Sequence, residues 1–79
     1  MKYEEFKADV EEGIKKYPNK WRYGQKVFNY INVHYYVAVQ VQFEDKIDCF
    51  YDDKLVTPFI ILAYKHLSDE TNKINFKTL

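Results

Sequence analysis

The segment that decides the fold is residues 22–43, RYGQKVFNYINVHYYVAVQVQF. Apolar and polar residues alternate from Val33 to Phe43, which is the period-two pattern of a β-strand. From Gln25 to Phe43 there is neither Gly nor Pro to form a hairpin turn, and an unbroken strand of that length would be unusual in so small a protein. Length therefore favours a helix over residues 22–43, compatible with a bend near 32–34, and leaves a strand over 33–43 as the alternative. The residues that trace the helical stripe are Val27, Phe28, Ile31, Tyr35, Ala38, Val39 and Gln42.

Two further helices are expected, one on either side of this segment. The first covers residues 3–17, because apolar residues recur there at helical spacing and Pro18 then ends the pattern. The last begins at Pro58, with Thr57 as its N-cap, and continues to residue 68. Together these patterns predict a small all-α domain of three helices that spans residues 1–79. Residues 73–79 are expected to form a loosely held C-terminal tail.

Composition and charge exclude several classes of protein. The chain of 79 residues has twelve basic and twelve acidic residues, and its net charge of zero argues against general polyanion binding. The single cysteine, Cys49, excludes an intrachain disulfide and the cysteine-based zinc sites. The longest apolar stretch, residues 58–64, is too short to span a bilayer, so we expect no membrane association. An unpaired cysteine and an N-terminus without a secretion signal fit a reducing cytosol.

No constellation of catalytic or metal-ligating residues is visible in the sequence. Cys49 could pair with His34 or His66 as nucleophile and base, but no Gly-rich loop or helix start accompanies it, and a buried structural thiol is the expected role. The aspartates at positions 45, 48, 52 and 53 lack the order of a calcium-binding loop. The sequence therefore predicts a protein that is not an enzyme and that uses no metal or other cofactor.

Residues 15–26 form a locally basic stretch. They include no acidic residue, and Tyr17, Trp21 and Tyr23 are interleaved with the cations. Cations can contact phosphates while exposed rings stack on bases, so this stretch could bind nucleic acid. The other interpretation, favoured by the zero net charge, is a corner between two helices with Tyr17 and Trp21 in the core. The residues of the alternative nucleic-acid site are Lys15, Lys16, Lys20, Arg22 and Lys26.

Two motifs resemble a pattern found in small phage and prophage proteins. The first is Trp-Arg-x-Gly-Gln-x-x-Phe-Asn at residues 21–29, and the second is Asp-x-Phe-Tyr-Asp-Asp at residues 48–53, followed by a short helix. The resemblance covers roughly the middle half of the chain. It implies a compact helical fold and a viral origin, with the protein in the host cytoplasm or, alternatively, in the virion. It brings no catalytic residue with it.

The side chains of these motifs are expected to hold distant parts of the chain together. The Arg22 guanidinium could pair with Asp52 or Asp53 in a bidentate contact. Gln25 and Asn29 lie four residues apart on one helix face. We expect them to hydrogen-bond with the loop that follows residue 48.

The frequency of aromatic residues is the remaining clue to function. The chain has eight Tyr, six Phe and one Trp, which are more rings than the centre of so small a core can hold. Tyr and Trp are favoured at protein interfaces, although the rings could also simply cover a thin core. We predict a docking surface on the second helix, and its candidate partner-binding residues are Trp21, Arg22, Tyr30, His34 and Tyr36.

The sequence therefore predicts a small non-enzymatic phage accessory protein. It would bind a host or phage protein, or a second copy of itself, through an aromatic-rich helical surface. Two alternatives remain open, namely nucleic-acid binding through residues 15–26 and a role as a small virion or assembly component.

Overall fold

The fold is described here from a computed structural model, which covers the backbone of residues 1–78 and the side chains of residues 1–68. Every regular element in that range is helical, and no strand occurs in it. The predicted all-α fold is therefore confirmed, and the alternative of a strand over residues 33–43 is wrong. The four α-helices are α1 (Tyr3–Gly13), α2 (Tyr23–Tyr35), α3 (Ala38–Glu44) and α4 (Val56–Thr78).

The first predicted helix is confirmed, with a tighter final turn than expected. After α1, residues Ile14–Lys16 continue as a 3-10 turn, and the Tyr17 N–H donates to the Ile14 carbonyl at 3.1 Å. Lysines close the turn, as the order of charges along the segment suggests. Gly13 lies where α1 crosses α2, and a Cβ atom at this position would lie 2.0 Å from the ring of Tyr30. A glycine is therefore what allows the two helices to approach each other here.

The second predicted helix is two helices rather than one. The chain breaks at Tyr36, whose backbone is left-handed with φ of 62°, and the Tyr36 N–H donates to the Ile31 carbonyl at 3.0 Å. Three valines follow within residues 37–41, and β-branched side chains lower helix propensity. The break also turns Val37 into the core, together with the buried side chains of α3. The helix therefore breaks here, without a Gly or Pro, because the break allows the side chains of residues 37–41 to pack in the core.

The last helix is longer than predicted at both ends. It begins at Val56, directly after a 3-10 turn over Asp53–Leu55, so that Thr57 and Pro58 lie inside its first turn rather than at its start. It continues to Thr78, ten residues beyond the predicted end, and residues 68–72 contain neither Gly nor Pro to end it. Leu79 and the packing of the predicted C-terminal tail, residues 73–79, lie outside the described residues.

A single apolar core joins all four helices. The side chains of Phe6, Ile31 and Phe59 are fully buried and come from α1, α2 and α4. Cys49 is the one buried side chain contributed by the loop between α3 and α4. Edge-to-face ring pairs extend this core toward the surface. The complete set of buried apolar residues is Phe6, Val10, Ile14, Val27, Phe28, Ile31, Val37, Ala38, Val41, Cys49, Val56, Phe59, Ile60 and Ala63.

Candidate functional site

The two motifs, at residues 21–29 and 48–53, meet at one junction between the start of α2 and the loop before α4. The Arg22 guanidinium donates to the main-chain oxygens of Phe50, at 2.5 Å, and Tyr51, at 3.1 Å. The expectation that Arg22 pairs with the carboxylate of Asp52 or Asp53 is therefore wrong. Arg22 does contact the predicted loop, but through main-chain oxygens. The carboxylate of Asp53 instead accepts the Gly24 N–H at 2.9 Å, an amide that the first turn of α2 leaves without a helical partner.

Gly24 lets the backbone of α2 touch this loop directly. A Cβ atom there would lie 1.9 Å from the carbonyl oxygen of Cys49, so no larger residue fits. The same two residues are also joined by a hydrogen bond, in which the Cys49 thiol donates to the Gly24 carbonyl at 3.4 Å. The loop is also held by Gln42, whose amide donates to Asp48 at 2.8 Å, and not by Gln25 or Asn29 as predicted. These contacts give the motif residues a structural role, and they use two of the five donors of the Arg22 guanidinium.

Cys49 is placed as a structural thiol and not beside a base. Its side chain is fully buried, and burial, reinforced by the nearby Asp48 carboxylate, raises the pKa of the thiol to about 12. It is therefore protonated at neutral pH and a poor nucleophile. The Nε2 atom of His66 lies 2.6 Å from the Asp45 carboxylate. Within the described part of the chain, no group of three or more His, Cys, Asp or Glu residues is placed to hold a metal ion.

The basic stretch forms a corner between α1 and α2, as the structural interpretation proposed. The expectation that Tyr17 and Trp21 lie in the core is wrong, because both rings are only partly buried and, of the two, only Tyr17 packs against the core. Trp21 is half-buried, and its ring lies 5.1 Å from that of Tyr17. Lys15 pairs with Glu12 at 3.0 Å in an exposed contact, and Arg22 is held by the loop. Lys16 and Lys20 are exposed. Of the five basic residues predicted for nucleic-acid contact, two thus already have partners within the fold.

Tyr30 holds α2 against α1 and is not a freely exposed ring. Its hydroxyl donates to Oδ2 of Asp9 at 2.9 Å, and the hydroxyl of Tyr35 donates to the same oxygen. Burial, followed by the hydrogen bond to Asp9, raises the pKa values of both phenols. The Tyr30 ring also stacks on His34, with 4.3 Å between ring centroids. Of Tyr30, His34 and Tyr35, only His34 has an exposed side chain.

Tyr36 is the most exposed large apolar side chain among the described residues, with 80% of its surface accessible. Two further exposed side chains follow it closely in the chain, Val39 at 45% and Phe43 at 66%. Because Val39 and Phe43 are four residues apart, they share the face of α3 that points away from the buried Ala38 and Val41. We call Tyr36, Val39 and Phe43 the exposed apolar surface.

Two residues of the exposed apolar surface were not among the predicted site residues. Val39 was placed on the buried stripe of one long helix, and Phe43 at its end, because a continuous helix was assumed across residue 36. The break changes which face of residues 38–44 points to the core. The available signal was the excess of apolar residues in 33–43, which exceeds what a single helical stripe can bury.

The five predicted partner-binding residues are distributed along α2. Trp21 and Arg22 lie just before its first residue, whereas His34 and Tyr36 lie at its other end. A helix of thirteen residues is about 20 Å long, so these residues do not form one compact patch. Tyr30 lies between the two groups and contacts Asp9 through its hydroxyl.

None of the helices in the described part of the chain is sufficiently long and apolar to cross a lipid bilayer. Comparison of the chain with protein-family models, with curated proteins and with solved structures gives no significant match.

Proposed function

We propose that this chain is a small non-enzymatic accessory protein that binds another protein through the exposed apolar surface. Its placement in a phage, acting in the host cytoplasm on a host or phage protein, follows from the motif resemblance. The observation that carries the binding proposal is the conformation of Tyr36, a strongly exposed aromatic residue on left-handed backbone.

Left-handed backbone is unfavourable for a residue with a large side chain. The conformation costs about 1–2 kcal/mol for a non-glycine residue, which is why helices that end in this way usually do so at glycine. The Tyr36 ring is 80% exposed, so it returns little of that cost through burial. Left-handed backbone alone does not mark a site, because exposed Lys46 shares it with φ of 61°. Tyr36 differs in that the strained residue also presents a large aromatic ring to solvent, a combination typical of a functional position.

The chemistry around Tyr36 suits a protein partner. Residues 27–43 contain no Asp, Glu, Lys or Arg, although 30% of the whole chain is charged. Interface centres are depleted in charged residues and enriched in aromatic ones, as this surface is. Phe43 and Tyr36 would be the anchors that fill pockets in the partner, and His34 would lie at the rim. Trp21 and Arg22, at the far end of α2, are outside this proposed surface.

Nucleic-acid binding is the less supported alternative. Arg22, whose guanidinium is best suited to a bidentate phosphate contact, already donates to two carbonyl oxygens. The ring of Trp21 is half-buried against Tyr17 and offers little face to a base. The remaining lysines supply too few phosphate contacts for strong binding.

Site-specific photo-cross-linking tests the proposal. A photoreactive phenylalanine analogue is placed at position 43 in one variant and, as the matched control, at position 51 in another. Tyr51 is 71% exposed but lies outside the exposed apolar surface, in the loop before α4. We expect a discrete cross-linked protein from position 43 only, in nuclease-treated lysate of a host cell. A cross-link between two copies of the chain would identify the partner as the protein itself.

Two results would contradict the proposal. One is equal cross-linking from positions 43 and 51, which would mean that exposure alone determines capture. The other is a specific product at position 43 that survives unchanged in the Tyr36→Gly background. That variant removes the ring without adding strain, so a partner that depends on the surface must bind it more weakly.

A further inference from the structure

A groove lies on another part of the molecule, between the 3-10 turn after α1 and the first turns of α2. Its volume is about 480 Å³, within the range of roughly 300–1,000 Å³ that is usual for small-molecule sites. It shares no residue with the exposed apolar surface. Its lining consists of Glu11, Ile14, Lys15, Asn19, Tyr23 and Lys26.

The groove combines an apolar floor with several hydrogen-bond donors. Ile14 is only 8% exposed and Tyr23 is 44% exposed, so the apolar contact that the groove offers comes mainly from the tyrosine. The ammonium groups of Lys15 and Lys26, the amide of Asn19 and the phenol of Tyr23 are the donors. Glu11 is the only acidic residue in the lining, which leaves a net charge of +1 from two lysines and one glutamate.

Lys26 stands out among these donors because it is half-buried and unpaired. Among the described residues, no carboxylate lies within 4.0 Å of its ammonium group, and its side chain makes no hydrogen bond. The Lys15 pair with Glu12 is exposed on both sides and therefore weak, so Lys15 can turn toward an anion at little cost. Burial, and next the charge of Glu11, raises the pKa of Tyr23 above its ordinary value.

We propose that this groove binds a small molecule with a planar ring and a single anionic group, the chemistry of a nucleoside monophosphate. The anion would lie between Lys15 and Lys26, with the amide of Asn19 as a further donor. The ring would lie against Tyr23 and over Ile14. This site is independent of the proposed docking function, so the failure of either leaves the other intact.

The test is a titration of the full chain with adenosine monophosphate at constant ionic strength, followed by amide chemical shifts in NMR. We expect saturable shifts that are largest at residues 14–26, with a dissociation constant of about 1 mM. Adenosine, which lacks the anion, and inorganic phosphate, which lacks the ring, should each bind at least about tenfold more weakly.

Three single substitutions assign the effect to the groove. Lys26→Gln should weaken binding about fivefold, and Glu11→Gln should strengthen it about twofold, because one removes a cation and the other an anion from the lining. Lys20→Gln is the matched control, since Lys20 is an exposed lysine of the same stretch that does not line the groove. It should leave the affinity within about twofold of the original value.

Several outcomes would overturn the inference. Absence of saturable shifts would exclude the site, and equal affinity for inorganic phosphate would exclude the role of the ring. An equal loss in Lys20→Gln and Lys26→Gln would show that the chain only attracts anions through its general charge. None of the three substituted side chains belongs to the core, so each variant is expected to fold, and its NMR spectrum shows directly whether it does.

Discussion

Replacing Tyr36 by glycine should leave the protein as stable as before, although it removes a whole aromatic ring. The left-handed backbone costs about 1–2 kcal/mol with tyrosine and nothing with glycine. The substitution also removes the burial of the side chain, of which about one fifth is buried. Because full burial contributes about 1.5–3 kcal/mol, this loss is about 0.3–0.6 kcal/mol. The greater freedom of glycine in the unfolded chain costs a further 0.5–1 kcal/mol or so. The sum is a change in unfolding free energy of less than about 1 kcal/mol in either direction.

Alanine at the same position separates the ring from the backbone. Tyr36→Ala loses the ring but keeps the strain, so it should be less stable than Tyr36→Gly by about 0.5–1 kcal/mol. Lys46 provides the matched control, because its φ of 61° is nearly identical and its side chain is also exposed. The same difference is expected between Lys46→Gly and Lys46→Ala.

Thermal and urea denaturation of the four variants measure these differences. A change of 1 kcal/mol shifts the midpoint of a domain of this size by about 4–8 °C, so the gap between glycine and alanine should be about 2–8 °C. The reasoning is refuted if Tyr36→Gly loses more than about 2 kcal/mol while Lys46→Gly does not. In that case the Tyr36 ring stabilises the fold, and its strained position needs no partner to explain it.

Four further predictions concern the interior and the junction of the motifs. Gly24→Ala should lower the unfolding free energy by about 3 kcal/mol in urea denaturation, because the added Cβ would collide with the Cys49 carbonyl oxygen. A loss below about 1 kcal/mol would contradict this close contact. Arg22→Lys should lose about 1 kcal/mol in the same assay, since an ammonium cannot replace the guanidinium fork, and a neutral result would speak against the junction. Alkylation of Cys49 near neutral pH should require unfolding, so its rate should rise in proportion to the unfolded fraction in urea; fast labelling of the native protein would disprove burial of the thiol. Stability should be independent of the Tyr35 phenol below its ordinary pKa of 10.0 and fall above it, because burial, and next the hydrogen bond to Asp9, raises its pKa and favours the protonated form in the folded state. Tyr35→Phe should therefore lose stability less steeply in alkaline denaturation, and equal slopes would contradict the raised pKa of Tyr35.

Local periodicity and capping signals were sufficient to predict the first and the last helix, but not the two helices between them. Apolar residues in 3–17 recur at helical spacing only, and Pro18 follows them. The structure has α1 and its 3-10 turn in this segment. The start of the last helix was found to within two residues, because Thr57 and Pro58 are strong signals for a helix start. Its end was missed because residues 68–72 are polar but contain no helix-breaking residue, so polarity alone was a poor signal.

The candidate sites were less predictable because they depend on which groups meet. The choice of Arg22 as a bridge to the loop at 48–53 was right, but its acceptors are backbone oxygens, and side-chain identity carries no information about the direction of a carbonyl. The groove beside Lys26 joins residues from α1 and α2, and its depth depends on how the two helices cross. No pattern within either helix indicates that depth.

The sequence by itself excluded an intrachain disulfide and predicted the first and last helices, because these depend on residue type and on spacing within a few turns. The length of residues 22–43 favoured the helical class. Only the tertiary structure decided that the chain breaks at Tyr36 and that Val39 and Phe43 face outward. The reason is that residues 33–43 satisfy both a strand pattern and a helix pattern, so local preference does not distinguish the outcomes. The choice comes from burying Val37, Ala38 and Val41 together in the shared core, a gain that outweighs the strain at one left-handed residue.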